Sequence, residues 1–194
     1  MNADQVSAFA HYLSELDALK TVNRRSYIQG GTRLENSAEH SWHLAMACWT
    51  LSEFLDDDYD MEALLKMALV HDVGEVDAGD TFLYSAARKD AAGPERECVL
   101  RFGEHPGNPA HDFVPLWDEQ ETGTGKETRL LKVVDRLLPF MLNVNSQGRA
   151  WIENGVAKSQ VLAAHAFIAD EIPALHRWMA NRVEEAVANG WLKE

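Results

Sequence analysis

The residues of this sequence best suited to chemistry are histidines and carboxylates set into apolar helical patterns. His71-Asp72 directly follows the apolar run LLKMALV, residues 64–70. Adjacent helical residues point about 100° apart, so the two side chains could grip one ion placed between their directions. A capped helix end, with His71 near the negative pole of the helix dipole, meets the same pattern. Eight histidines and fourteen aspartates in this chain produce a His-Asp dipeptide about as often as not by chance, and a second pair, His111-Asp112, sits in a Gly/Pro loop. Placement therefore has to decide. Asp135 lies in the helical apolar stripe Leu131, Val134, Leu138, Leu142. A carboxylate there is at least partly buried and needs a cation, because an unpaired buried charge is costly. A metal and a salt bridge from elsewhere both meet that need; Arg129 and Arg136 fall on other faces of the helix. His40 occupies the first turn of the most apolar helix, with His43 three residues on. Each of these two also reads as a core histidine bonded to a backbone carbonyl.

His40, His71, Asp72 and Asp135 together form a mixed imidazole–carboxylate set on three core helices. Two nitrogen and two oxygen donors leave room for water on a six-coordinate divalent ion, and open positions are what a catalytic metal requires. Mn, Co, Fe, Ni, Mg and Zn all remain open for such a set. Glu75 lies one turn beyond His71, and Asp80 follows the Gly79 turn. Neither has a helical i,i+4 partner, and both are candidates for general acid, general base or substrate contact. Arg24, Arg25 and Arg33 lie in the stretch leading to His40. Guanidinium forks suit phosphate oxygens; a solvated surface charge is the alternative for each. His105 and His111 read as exposed loop residues that matter only for a dinuclear site.

Helical spacing runs through nearly the whole chain, and β-branched runs with period-two alternation are scarce, so the expected class is all-α with about six to eight helices. Residues 4–20 form the first. The polar stretch TVNRRSYIQGGTRLENS, with its Gly30-Gly31 pair, reads as a loop. Asn36 and Glu39 fit a capping box that opens a helix to about Leu55. Its apolar circumference places it in the middle of a bundle, with Trp42 and Trp49 as core or interface. Asp60 caps the helix that ends near Gly74, and the loop GEVDAGDTF follows. Further helices are expected at 94–103, 109–120, from Thr124 and Glu127 through about Leu142, from Ser159 to Ile172, and from Pro173 through Trp191. Gln147-Gly148 is a break. With no linker in sight, residues 1–194 read as one domain, with a core at about 10–145 and the helices of 159–191 packed on it.

The charge balance is 18 basic against 31 acidic residues, a net −13. That argues against binding a nucleic-acid polymer, which needs many Lys and Arg contacts to phosphate. A small phosphorylated ligand stays possible, because one metal ion and a few arginines reverse the field locally. The apolar share of 46% supports a core without disulfides. Cys48 and Cys98 lack any C-x-x-C pattern and read as reduced thiols of a cytoplasmic protein. No apolar run approaches the roughly 18–20 residues of a membrane span. The start MNADQVSAFAHY has no basic segment ahead of an apolar one, so no secretory signal is expected.

The motifs ENSAEHSWHLA around His40, ALVHDVGEVDAGD around His71-Asp72 and TRLLKVVDRLLP around Asp135 resemble, in this order, the HD superfamily of metal-dependent phosphohydrolases. The resemblance covers about residues 10–145. The stretch PLWDEQETGTGKETRLLKVVD, with its E-x-x-x-x-D element, is similar to the branch that holds the 5′-deoxynucleotidases. It implies an HD-domain helical bundle that works as a homodimer on a small phosphorylated substrate, a nucleotide. It further implies one divalent ion on His40, His71, Asp72 and Asp135, with Glu75 positioning or activating water and Asp80 holding a sugar hydroxyl near the leaving oxygen. Arg24 matches the family arginine that contacts phosphate. Where that branch carries an Arg-Trp pair, this chain has Arg24-Arg25. Two other readings stand beside it: a dinuclear HD enzyme, either a phosphodiesterase or a di-iron oxygenase, and a non-catalytic nucleotide-binding HD module.

Overall fold

A computed structural model of the chain describes residues 1–85 and 92–194. The chain forms two compact units, one of Met1–Arg24 with Asn36–Leu131, the other of Arg25–Glu35 with Lys132–Glu194.

The first unit begins with helix α1 (Ala3–Leu16), opened by reciprocal hydrogen bonds between Asn2 and Gln5. A 3₁₀ turn, Asp17–Thr21, follows. Helix α2 (Ser37–Ser52) starts on the expected capping box. The Asn36 side chain accepts from the Glu39 amide at 2.9 Å, and the Glu39 carboxylate accepts from the Asn36 amide at 3.3 Å. Helix α3 (Met61–Val70) is capped by Asp60, whose carboxylate accepts from the Ala63 amide at 3.0 Å. The short helix α4 (Glu75–Ala78), then α5 (Ala92–Gly103) and α6 (Phe113–Thr122), complete the unit together with the start of α7 (Lys126–Asn145). Helix α3 packs on α2 and α6, and α4 packs on α5. Tyr12, Leu19, Val70, Val73, Val99, Phe102, Phe113 and Trp117 form a continuous buried cluster under these contacts. That cluster is the rigid floor on which the end of α3 is held.

The second unit holds most of a two-stranded sheet, β1 (Asn23–Tyr27) with β2 (Leu34–Asn36). The Arg149 guanidinium lies 3.8 Å from the centre of the Tyr27 ring and donates to the Gly31 carbonyl at 2.6 Å, which ties the hairpin down. The rest is the body of α7 with α8 (Arg149–Asn154), α9 (Lys158–His165), α10 (Ile168–Glu171) and α11 (Pro173–Ala188). Phe140 on α7 meets Trp151 and Trp178, with ring centroids 5.6 and 6.2 Å away. Gly148 starts α8 in the left-handed region, at φ 70°, and a Cβ there would lie 2.4 Å from that of Trp191. Only glycine meets both demands.

The all-α class holds, and among the described residues eight helices run eight residues or longer. Several local expectations are corrected. The polar stretch 21–37 contains the two short strands, which lack apolar alternation because their burial is uneven. The GEVDAGDTF segment is not wholly a loop: α4 lies in it. The helix expected over Ser159–Ile172 is two, parted at Ala166-Phe167. It is opened by the Ala157 amide, which donates to the Gln160 side chain, and not by Ser159. The last helix stops at Ala188, and Gly190 turns the chain at φ 72°. Helix α2 is not enclosed: Trp42 is 64% exposed, with Met46 and Trp49 on the same flank. Among the described residues no helix is long and apolar enough to cross a membrane. Cys48 and Cys98 are both buried, and burial pushes the Cys98 thiol up to about 11.

Candidate metal centre

The centre is built from the C-terminal end of α3. His71 is its last helical partner, and its amide donates to the Met67 carbonyl at 3.0 Å. The His71 Nδ1 faces the Ala68 carbonyl at 2.9 Å. A carbonyl can only accept, so Nδ1 carries a proton, and in the neutral ring the lone pair belongs to Nε2. That nitrogen lies 3.0 Å from Asp72 Oδ1. The first turn of α2 brings the fully buried His40 alongside, its ring centroid 5.4 Å from that of His71. One ligand atom from each of His40, His71 and Asp72 falls within 4.8 Å of the others. Trp117 on α6 donates its indole N–H to the His71 carbonyl at 3.0 Å and so fixes the end of α3. Nothing in the sequence distinguished Trp117 from a core aromatic, because its role depends on a hydrogen bond across 46 residues.

The next turn supplies acid–base groups. Gly74 has no room for a side chain: a Cβ would lie 2.6 Å from the Glu95 carbonyl oxygen. This close approach seats α4 on α5 and buries Glu75 at its first position. Ser37, the first residue of α2, donates its hydroxyl to Glu75 Oε2 at 2.5 Å. Arg24 Nη1 donates to Asp72 Oδ2 at 2.6 Å and lies 3.9 Å from both Glu75 Oε1 and Asp80 Oδ1. Gly79, at φ 76°, turns the chain so that Asp80 reaches this guanidinium. Three carboxylates thus converge on one arginine.

Their environments pull the two buried acids apart. Burial opposes ionisation of Asp72, but the charged forms of His71 and Arg24 outweigh it and, in the metal-free chain, hold the carboxyl well below the usual carboxylate range. Burial, together with the charge of Asp72, pushes Glu75 up to about 8, against the opposing pull of Arg24 and the Ser37 hydroxyl. Titratable neighbours driven in opposite directions mark an acid–base site. The donor set also fits a divalent cation. Buried imidazoles and a carboxylate are transition-metal donors, and the 3.0 Å between His71 Nε2 and the Asp72 oxygen is a place for a positive charge, a proton in the metal-free chain or a cation that replaces it.

Other expected site residues are placed differently. Asp135 sits on α7 in the second unit, partly covered, and Arg136 Nη1 donates to its Oδ2 at 2.5 Å. Arg136 was expected on another face, yet its long side chain folds back to the carboxylate beside it. Pro139, inside α7, has no amide to donate to the Asp135 carbonyl, so the helical ladder is interrupted there. Strand neighbours point to opposite faces: Arg24 turns inward, whereas Arg25 is exposed. Arg33 is also exposed and donates to the Leu34 carbonyl at 3.0 Å. His43 stacks near Trp42, with ring centroids 6.2 Å apart.

A second group of potential ligands, His11, Glu15 and His105, lies in the same unit. The Gly107 amide donates to Nδ1 of His105 at 3.0 Å, which leaves the proton of the neutral ring on Nε2. That Nε2 is 3.0 Å from His11 Nδ1 and serves as a hydrogen-bond donor there, not as a lone pair offered to a metal. The tautomer is the reverse of His71's. His111 is exposed, and its neighbour Asp112 pairs with Lys66 at 2.8 Å.

A helical bundle with a buried His/His-Asp cluster flanked by arginine and further carboxylates defines a class of metal-dependent hydrolase folds. The HD domain family matches over residues 16–176. A crystal structure described as a predicted metal-dependent phosphohydrolase from Magnetospirillum magnetotacticum superposes with a TM-score of 0.88. It is 32% identical over 98% of this chain and 96% of its own. The 5′-deoxynucleotidase HDDC2 of Dictyostelium discoideum is 27% identical over 68% of this chain and 73% of its own length. Its counterpart in Danio rerio is 24% identical, over 65% of this chain and 63% of its own. The chain belongs to the HD domain family, in its class of metal-dependent phosphohydrolases.

Proposed function

We propose that this chain hydrolyses a small phosphomonoester, a nucleoside or deoxynucleoside 5′-monophosphate, to nucleoside and phosphate. The observation that carries the reading is the gathering of Arg24, Glu75 and Asp80 around the His40, His71 and Asp72 cluster. The similarity to two 5′-deoxynucleotidases supports the choice of substrate.

His40, His71 and Asp72 would hold one divalent ion. Asp135 joins them from the sequence resemblance alone. When bound, such an ion supplies Lewis-acid charge to the phosphoryl group and lowers the pKa of water. The chain's own groups do the rest. Glu75, buried and raised toward neutrality, takes a proton from the attacking water through Oε1, the oxygen that Ser37 leaves open. A new P–O bond forms as the ester P–O bond breaks, and the proton that Glu75 removed from water is passed to the leaving alkoxide, which becomes the nucleoside hydroxyl and returns Glu75 to its carboxylate form. Arg24 faces the non-bridging oxygens and balances their charge in the transition state. Asp80 accepts from a sugar hydroxyl and keeps the leaving oxygen in line. The dinuclear alternative is disfavoured by His105, whose Nε2 proton faces its would-be partners. The binding-module alternative is disfavoured by the presence of Glu75 and Arg24 beside the donors.

The test is phosphate release from a panel of phosphomonoesters by metal-stripped protein to which Mn²⁺ or Co²⁺ is restored. Release from deoxynucleoside 5′-monophosphates is expected only with metal. A metal-loaded, folded protein that releases phosphate from no monoester overturns the proposal. Arg24→Ala is expected to lower kcat/KM by about 100-fold or more, chiefly through KM. Its metal affinity holds or tightens, because a cation competing for Asp72 has gone. An unchanged kcat/KM removes Arg24 from substrate binding.

A further inference from the structure

Ser37 is fully buried at the first position of α2, three residues ahead of His40. Its backbone is committed on both sides: the amide donates to the Val22 carbonyl at 3.0 Å, and the carbonyl accepts from the Ser41 hydroxyl at 2.9 Å. The backbone is thereby fixed beside Glu75, and the hydroxyl meets Glu75 Oε2 at 2.5 Å. The same carboxylate has its other oxygen 3.9 Å from Arg24. Two requirements meet in this arrangement. A buried carboxylate close to Asp72 and Asp80 needs a donor if it is to stay charged. A general base also needs a fixed orientation, since a small misplacement of a reacting group is expensive.

From this geometry we infer that Ser37 is a positioning residue for Glu75, aiming Oε1 at the reacting water and keeping it beyond hydrogen-bond distance of Arg24. The inference rests on the reading of Glu75 as the base given above. A donor to Oε2 alone leaves Oε1 as the open oxygen. Without that donor, the carboxylate swings toward the nearby guanidinium, its closest source of hydrogen bonds, and the water loses its acceptor. Substrate contacts made by Arg24 and Asp80 stay in place, so the loss falls on kcat and not on KM. The first turn of α2 therefore carries both His40 of the donor cluster and the support of the base, and one capping box at Asn36 and Glu39 sets the position of the two together.

A double-mutant cycle between Ser37→Ala and Glu75→Gln tests this, read in two ways: kcat and KM of the Co²⁺-loaded protein on the monoester that the panel ranks first, and thermal unfolding of the metal-free protein. Ser37→Ala is expected to lower kcat by about 10–100-fold, the usual effect of losing a supporting hydrogen bond of this kind, with KM within about twofold. In the Glu75→Gln background it should lower kcat no further, while its cost in unfolding temperature persists there, because glutamine still accepts from Ser37. A kcat within twofold of wild type overturns the inference. So do losses that multiply across the cycle, because Ser37 would then act by another route. If Ser37→Ala does not fold, Ser37→Cys gives the same reading, since a thiol is a weak donor. The two readings fail separately. A Glu75→Gln protein with full turnover sinks the base assignment, whereas a collapsed Glu75→Gln beside a fully active Ser37→Ala sinks only the role of Ser37.

Discussion

Replacing Asp72 with alanine is expected to abolish metal retention and to reduce phosphate release by about 1,000-fold or more. A Lewis acid stabilises charge in such a transition state by several kcal/mol, and each 1.4 kcal/mol is about a factor of ten in rate. Among the described residues Asp72 supplies the carboxylate of the buried ligand cluster, 3.0 Å from His71 and 2.6 Å from Arg24. Its removal takes a ligand from the ion and a partner from the guanidinium at once. The pH dependence follows from the sign of its shift. The folded carboxyl titrates below its ordinary value of 3.8, so its charge stabilises the fold above that pH. As pH falls through the folded value the contribution disappears. In metal-free protein the unfolding temperature of the variant should lie below that of wild type at neutral pH, and the gap should close in acid. Metal content by elemental analysis, phosphate release and melting curves check the three parts. A variant that keeps a full equivalent of metal contradicts the ligand assignment.

Glu75→Gln is expected to behave in the opposite manner. Metal content and fold persist, while kcat falls by about 100- to 10,000-fold, the range associated with a lost general base. Burial and Asp72 raise the carboxyl from 4.5 to about 8. The folded state is thus penalised as pH climbs between those values, because the carboxylate must ionise inside the protein. Glutamine escapes the penalty and still accepts from Ser37. In metal-free protein the melting temperature of the variant should match wild type near pH 4 and rise above it as pH approaches 8. A variant gaining stability while losing turnover is the mark of a functional group held at a cost to the fold. Unchanged turnover removes Glu75 from the mechanism. A variant less stable than wild type at pH 8 shows that the buried carboxylate is not destabilising there. Two acids three residues apart would thus respond to pH with opposite signs.

How much of this was legible depended on the range of the interaction. The box at Asn36 and Glu39 and the Asp60 cap are bonds across three residues, and both are found where their spacing put them. The exposed flank of α2 was not legible. Trp42, Met46 and Trp49 extend the apolar circumference in the sequence, and only the packing shows which arc faces the core. The strands β1 and β2 were missed because their residues are polar and their pairing depends on the turn at Gly30 and Gly31, which have φ 85° and 65°. Among the arginines, residue type nominated Arg24, Arg25 and Arg33 alike. The strand geometry separated them, since alternation turns Arg24 inward and Arg25 outward.

The sequence by itself determined the helical class, the main helix starts and the identities of the chemical groups. These follow from periodicity, short-range capping and residue type, all of which are local. The tertiary structure decided the rest. It set the tautomers of His71 and His105, opposite because one ring faces a carbonyl and the other an amide. It brought Arg24 to Asp72 across 48 residues and Ser37 to Glu75 across 38. It also made the two acids unlike. A carboxyl's affinity for its proton is set by burial and by the charges around it, and those come from distant parts of the chain that meet only when it folds.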